Sequence, residues 1–138
     1  MLAALLRRYH DAVTPQLQEL PHGPRGYQTL REVVRCAQPS QLGLAKRLGL
    51  DRTVMTYLID DLEQAGLVER VPNPADRRQR QIVPTDAGAQ VVADTCRQVR
   101  AIEDGLLANL DQGERDLLRA LLVKATGGAD LDEVCEEG

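Results

Sequence analysis

The sequence predicts a mainly α-helical fold with one small β-hairpin, and three observations carry that reading. Apolar residues recur at helical spacing along most of the 138-residue chain, from Leu2 to Leu122. Between Leu67 and Val83 the period changes to that of two short strands around a charged, proline-containing loop. Aromatic residues are limited to three tyrosines, with no Phe and no Trp, so the core must be Leu, Val, Ile and Ala, which suits helix packing. A chain of this length makes one domain, or one compact unit with an appended arm, and buries roughly 68–70% of its unfolded surface without staples.

The elements follow in order. Leu2, Leu5, Leu6, Tyr9, Ala12, Val13, Leu17 and Leu20 mark a first helical stretch, either one helix kinked at Pro15 or two short ones. Pro21-His22-Gly23-Pro24 is a turn, and Tyr27, Leu30, Val33 and Val34 define a second helix ending near Cys36. Ser40 is the N-cap candidate of a third helix, with Leu42, Ala45 and Leu48 on its apolar face and Gly49 as its stop. Asp51 caps a fourth, whose Met55, Leu58, Ile59 and Leu62 share one face, and Gly66 ends it. Leu67 to Val71 and Gln79 to Val83 are the two strands. Thr85 caps a long helix carrying Val91, Val92, Cys96, Val99, Ile102, Leu106 and Leu110. Asp111 and Glu114 form an Asp-x-x-Glu cap for the last helix, with Leu117, Leu118, Leu121 and Leu122, which stops at Gly127-Gly128. A short helix, a Gly-containing turn and a longer helix, followed by a hairpin, make a winged helix-turn-helix.

Net charge is −4, which taken whole argues against a nucleic-acid protein. Its distribution argues otherwise. Residues 1–24 balance; residues 25–82 carry ten positive against seven negative charges; residues 83–138 carry five against twelve. The acid is concentrated in the C-terminal part, and Arg77, Arg78 and Arg80 cluster in the basic middle. Cys36, Cys96 and Cys135 are odd in number and scattered, which is neither a disulfide framework nor a Cys-x-x-Cys redox or zinc motif. Arg7 and Arg8 end the apolar run at the start too early for a leader or a membrane span, so the chain is expected to be soluble and cytoplasmic. The shortage of aromatics also argues against single-strand binding by base stacking.

At the level of motifs, the chain resembles the MarR family of bacterial winged helix-turn-helix regulators. Ser40, Leu44, Ala45 and Leu48 fit the family's third-helix pattern Ser/Thr-x-x-x-Leu-Ala-x-x-Leu. Leu62, Glu63, Gly66, Leu67, Val68 and Arg70 fit Leu-Glu-x-x-Gly-Leu-Val/Ile-x-Arg, and Pro74, Asp76, Arg78, Thr85 and Gly88 fit the wing and the start of the following helix. Each motif alone is weak; three in register, followed by two long apolar helices, are strong. Val54, Tyr57, Asp61 and Pro84 depart from the common pattern, on or beside the reading helix and wing.

The resemblance implies residues 1–24 as an N-terminal dimerisation helix and 25–84 as the DNA-binding lobe, with the recognition helix at 51–65 and the wing at 67–84. It further implies C-terminal dimerisation helices at 85–128, with 129–138 an acidic tail that is frayed or a partial turn. Helices one, five and six also carry wide Leu/Val faces that a small winged domain cannot cover alone. Asp76, Arg77, Arg78 and Arg80 are the wing candidates, because a weakly hydrated guanidinium suits the narrow minor groove. By resemblance Arg78 is the inserted residue, with Asp76 holding the loop and orienting its guanidinium. Burial of Met55, Leu58, Ile59 and Leu62 leaves Arg52, Thr53, Thr56 and Tyr57 outward to meet bases, with Val54 at the margin and Asp60 and Asp61 facing away. Ser40, Gln41 and Arg35 are phosphate candidates, the first two through a helix N-terminus; Lys46 and Arg47 are ordinary surface charges or further contacts. Tyr9, His10, Tyr27 and Arg31 form the candidate pocket for a small-molecule effector, although the tyrosines equally suit the edge of a core.

No cofactor is implied, His10 and His22 lack partners at zinc spacing, and only Cys36, beside Arg35, is a candidate redox thiol. No Gly-rich phosphate loop or Cys/His/acid constellation supports an enzyme. The expected function is therefore a dimeric regulator, a ligand-modulated repressor, bound to a pseudo-palindromic double-stranded operator, with no membrane partner. The alternative is a winged-helix protein-interaction module with weak or lost DNA binding, which Val54, Tyr57, Asp61 and the overall acidity would favour.

Overall fold

The computed structural model describes residues 2–36 and 39–127. Its elements are α1 (Leu2–Leu17), α2 (Pro24–Arg35), α3 (Gln41–Leu48), α4 (Arg52–Gln64), β1 (Val68–Pro72), β2 (Arg80–Pro84), α5 (Asp86–Leu106) and α6 (Gln112–Ala125). This is the expected mainly helical winged helix-turn-helix. The acidic stretch 129–138 and Cys135 lie outside the described residues.

Local chemistry explains most boundaries. α1 is one helix that runs through Pro15, rather than two. The proline forgoes the bond its N–H would have made to the Asp11 carbonyl, and burial of Val13 and Leu17 holds the segment. Pro24 opens α2, where a missing N–H costs nothing. The Ser40 hydroxyl accepts from the Gly43 N–H at 3.0 Å, and the Asp51 carboxylate accepts from the Thr53 N–H at 2.8 Å, so both predicted caps form. Between α3 and α4, Gly49 takes φ 63°, a conformation glycine reaches without a Cβ penalty. α5 ends at Leu106, short of the expected Leu110: the chain turns at Leu107 so that Asp111 and Glu114 can close a reciprocal capping box with both bonds at 2.9 Å.

β1 and β2 pair antiparallel, from Val68 opposite Pro84 to Pro72 opposite Arg80. β2 also touches the start of α3, through the Ile82 N–H to the Pro39 carbonyl at 2.9 Å and a bridge between Ser40 and Gln81. The hairpin is thus attached at its base to the helix-turn-helix while its tip projects.

One main core joins α2, α3, α4, the hairpin and α5 through Leu30, Val33, Leu44, Met55, Ile59, Leu62, Val68, Ile82 and Val92. A smaller cluster of Val13, Leu17 and Tyr27, with Tyr9, Val99 and Ile102 against it, seats α1 on α2 and α5. α6 is different. None of its residues is buried, and Leu117, Leu121 and Leu122 are exposed, as are Leu2, Leu5 and Leu6 of α1. Cys36 is a free thiol.

The Thr85-x-x-Gly88 pair has a clear physical role. The Thr85 hydroxyl accepts from the Gly88 N–H at 3.0 Å and donates to the Gly66 carbonyl at 2.6 Å. The Thr85 N–H donates to the Leu67 carbonyl at 3.1 Å. A Cβ on Gly88 would lie 2.0 Å from that same carbonyl oxygen. α5 therefore starts directly on the backbone that leaves α4. Gly88→Ala should destabilise the protein by about 1–3 kcal/mol, the range for overpacking a well-filled contact. Urea unfolding checks this; wild-type stability in the variant would show that α5 can shift away freely.

Candidate nucleic-acid interface

The N-terminal half of α4 is free because its other face is fully committed. Met55, Leu58, Ile59 and Leu62 are wholly buried, so helical geometry turns Arg52, Thr53, Val54 and Tyr57 outward, and all four are exposed. Tyr57 is 63% exposed and Val54 37%, so Val54 joins the outward set rather than the core. Thr56 is the exception. It is half-buried, its hydroxyl donates to the Arg52 carbonyl at 3.0 Å, and it accepts from the Gln41 side-chain amide at 2.6 Å.

That amide belongs to a network centred on Arg70 of β1, a residue that sequence reasoning matched to a motif without assigning it a task. One Arg70 guanidinium nitrogen donates to Asp60 at 2.5 Å and reaches the Gln41 Oε1 at 3.4 Å; the other donates to Glu63 at 2.5 Å. The Arg70 backbone N–H also donates to Glu63, at 3.1 Å. The Arg70 side chain is only 18% exposed. One cation therefore ties α3, α4 and β1 together and offsets two carboxylates on the reading helix. Asp61, which also had to face away from a polyanion, is paired with His22 of the α1–α2 turn at 2.6 Å.

The wing loop spans 73–79, and two side chains shape it. The Asn73 Oδ1 accepts from the Ala75 N–H at 2.9 Å, and the Asp76 Oδ1 accepts from the Arg78 N–H at 3.0 Å. The second bond corrects the expectation for Asp76: it holds the Arg78 backbone, not the guanidinium, because a short Asp side chain closes a turn onto the N–H two residues on more readily than it reaches a long exposed chain. Arg77, Arg78 and Arg80 are exposed, and no carboxylate among the described residues engages their guanidinium groups.

The phosphate candidates are divided. Ser40 and Gln41 sit at the α3 N-terminus beside the reading helix, but the Ser40 hydroxyl caps α3 and the Gln41 amide is bound within the network. What they can offer outward is mainly backbone. Arg35 lies at the end of α2 and pairs with Glu32 at 3.7 Å. Nearby, Cys36 accepts from the Arg47 guanidinium and its thiol donates to Glu32 at 3.5 Å. Burial pushes the Cys36 thiol above its ordinary pKa, and Glu32 pushes it further, against the lowering effects of Arg47 and Arg35. A thiol held protonated is a poor oxidant sensor.

The effector candidates come together in part. Tyr9 and Tyr27 pack in the smaller cluster, with phenol pKa values raised chiefly by burial and drawn back by Arg31. The Arg31 Nε is buried without a hydrogen-bond partner. His10 is exposed, edge-on to Tyr9 with ring centroids 6.0 Å apart. Among the described residues no group of three or more His, Cys, Asp or Glu could hold a metal, and no helix is long and apolar enough to cross a membrane.

Comparison with known proteins places this geometry among relatives. A family model described as the MarR family matches residues 24–79. The uncharacterized HTH-type transcriptional regulator YcgE of Bacillus subtilis (strain 168) is 31% identical over 118 residues, covering 85% of this chain and 74% of that protein. Wild-type MarR from E. coli, in its apo crystal structure, superposes with a TM-score of 0.74 at 26% identity, over 90% of this chain and 93% of that one. A cysteine-to-serine mutant of E. coli MarR, solved in complex with operator DNA, gives 0.67 at 27% identity, over 90% of this chain and 89% of that one. The YusO protein of Bacillus subtilis shares the fold at 22% identity, with a TM-score of 0.78 over 93% of this chain and 91% of that one.

The Arg70 network makes its own prediction. Because Asp60 and Glu63 are half-exposed, solvent screening limits each pair. A double-mutant cycle of Arg70→Met and Glu63→Gln, read by urea unfolding, should give a coupling of about 0.5–1 kcal/mol. Additive effects would show that the pair contributes nothing measurable.

Proposed function

The chain belongs to the MarR family of transcriptional regulators, a non-enzymatic role, and on that premise we propose that it is a homodimeric transcriptional repressor that binds double-stranded DNA sequence-specifically and whose DNA binding is modulated by a small ligand. The single observation that carries the DNA reading is the pairing of an exposed arginine wing with the exposed N-terminal half of α4, held in fixed relation by Arg70. In this reading α4 enters the major groove with Arg52, Thr53, Val54 and Tyr57 towards the bases and Thr56 behind them in the Gln41 network, while Arg78, flanked by Arg77 and Arg80, enters the adjacent minor groove. Asp76 sets the loop that presents Arg78, and the α3 N-terminus at Ser40 and Gln41, with Arg35, meets phosphates.

Dimerisation is supported by α1 and α6. An amphipathic helix with most of its leucines in water and no residue fully buried is unstable on its own, and a second copy would cover Leu117, Leu121 and Leu122 together with Leu2, Leu5 and Leu6. The two-fold axis would set two copies of α4 about one DNA turn apart, so the operator is a pseudo-palindrome. The effector reading rests on the orphaned Nε of Arg31 beside two phenols, a site suited to a small acidic ligand. Such a protein acts in the cytoplasm, where the DNA is.

Selection of genomic fragments bound by the purified protein should return a pseudo-palindromic consensus with steeply salt-dependent, nanomolar-range affinity. Failure to retain any duplex at low salt would favour a protein-interaction module instead. Arg78→Ala should weaken binding to that consensus by about 1–3 kcal/mol, and unchanged affinity and specificity would remove the wing from the interface. Leu121→Glu should convert the dimer to monomer in analytical ultracentrifugation with the lobe still folded; a persisting dimer would place the interface elsewhere.

A further inference from the structure

We infer that this chain reads thymine in its half-site through the 5-methyl group, contacted by Val54 and Tyr57. The inference rests on the proposal that α4 is the element entering the major groove, and goes beyond it by stating which chemical feature of the bases is read.

The observations concern what the reading face has left to offer. In the major groove, an amide such as that of glutamine reads adenine through paired donor and acceptor, and a threonine hydroxyl can bond several bases. On this face the Gln41 amide and the Thr56 hydroxyl are engaged, while the Arg52 guanidinium and the Thr53 hydroxyl remain free. The Gln41 amide is fixed between Arg70 and the Thr56 hydroxyl, and that hydroxyl is shared between Gln41 and the Arg52 carbonyl. Asp60 and Glu63, which would otherwise accept from the cytosine amino group, are held by Arg70 on the far side of the network. Two large uncharged side chains remain exposed, Val54 and Tyr57, three residues apart on one face of the helix. They are flanked by the Arg52 guanidinium and the Thr53 hydroxyl, which are free to meet phosphate.

An exposed valine and a tyrosine ring at the N-terminal half of a reading helix present apolar surface where bases pass. The thymine methyl is the one apolar group on the major-groove edge of the four bases. Seating it against Val54 or the Tyr57 ring removes both surfaces from water, a gain that depends on contact alone. The tyrosine contributes its ring; its hydroxyl is not needed.

The test uses full-length protein and the selected operator, comparing duplexes that carry thymine or deoxyuridine at each A·T pair of the half-sites. Deoxyuridine lacks only the methyl and pairs identically. Wild-type protein should bind about fourfold more weakly for each contacted methyl removed, the value of one buried methyl-sized group. Val54→Ala should bind thymine and deoxyuridine duplexes alike at one of those positions, and Tyr57→Ala at another, while Tyr57→Phe keeps the wild-type discrimination. Equal affinity of wild-type protein for both duplexes, with binding still sequence-specific, overturns the inference and leaves DNA binding intact. Absence of specific binding to either duplex overturns both. Because the decisive comparison is made on wild-type protein, a variant that folds poorly does not obscure it.

Discussion

The position of α4 relative to the wing depends on one guanidinium. Arg70 leaves β1, passes over the C-terminal half of α4 and reaches the start of α3, bonding Asp60, Glu63 and Gln41 on the way. A two-stranded hairpin is marginal by itself, and its orientation would be loose if backbone pairing were all that fixed it. Two further attachments complete the frame: the Ile82 N–H to the Pro39 carbonyl holds β2 against α3, and Thr85 with Gly88 brings α5 hard against the end of α4. The wing tip is therefore the end of a braced lever rather than of a flexible loop, which suits a surface that must meet two grooves at once.

The same arginine alters how the charge of the chain is understood. The basic middle segment owes its excess to ten cations, yet Arg70, Arg47 and Arg35 face carboxylates on neighbouring turns. Asp60, Asp61 and Glu63, which a count treats as repelling a polyanion, are in turn held by Arg70 and His22. Internal pairing thus cancels acid and base together, and among the cations that remain, Arg52 stands exposed at the start of α4 and Arg77, Arg78 and Arg80 at the wing. A modest net charge can support a focused field when the opposing charges are paired away from it.

How much was legible in the sequence follows from the range of the interactions. Caps at Ser40, Asp51, Thr85 and Asp111 could be read because each acts within three residues of itself. The core stripe of α4 was legible for the same reason, its period being local. Asp76 was correctly placed at the wing and wrongly connected, since spacing does not tell a backbone N–H from a side chain two residues away. The engagement of Gln41 and Thr56 could not be foreseen at all: they are fifteen residues apart and meet only when α3 and α4 cross. Arg70 was visible as a motif letter, but its partners lie up to twenty-nine residues away, and only the fold brings them within reach. Leu107 to Leu110 read as helix from their apolar spacing, where the capping box of the next helix prevailed.

α6 carries the remaining step. Its capping box specifies where it starts, its leucines specify a face, and yet no residue of that face is fully buried in the monomer. Local signals as well formed as these cannot hold a helix of fourteen residues in water without tertiary burial. The proposed second copy supplies it, and in doing so links two properties that the monomer keeps apart. α1 and α5 pack on α2, the first helix of the winged lobe, through Val13, Leu17, Tyr27, Val99 and Ile102, so the helices of the proposed interface bear directly on that lobe. Arg31 lies on that helix, with its Nε buried and unpaired. An anion that satisfied it would act at the hinge between the dimer helices and the DNA-binding lobe.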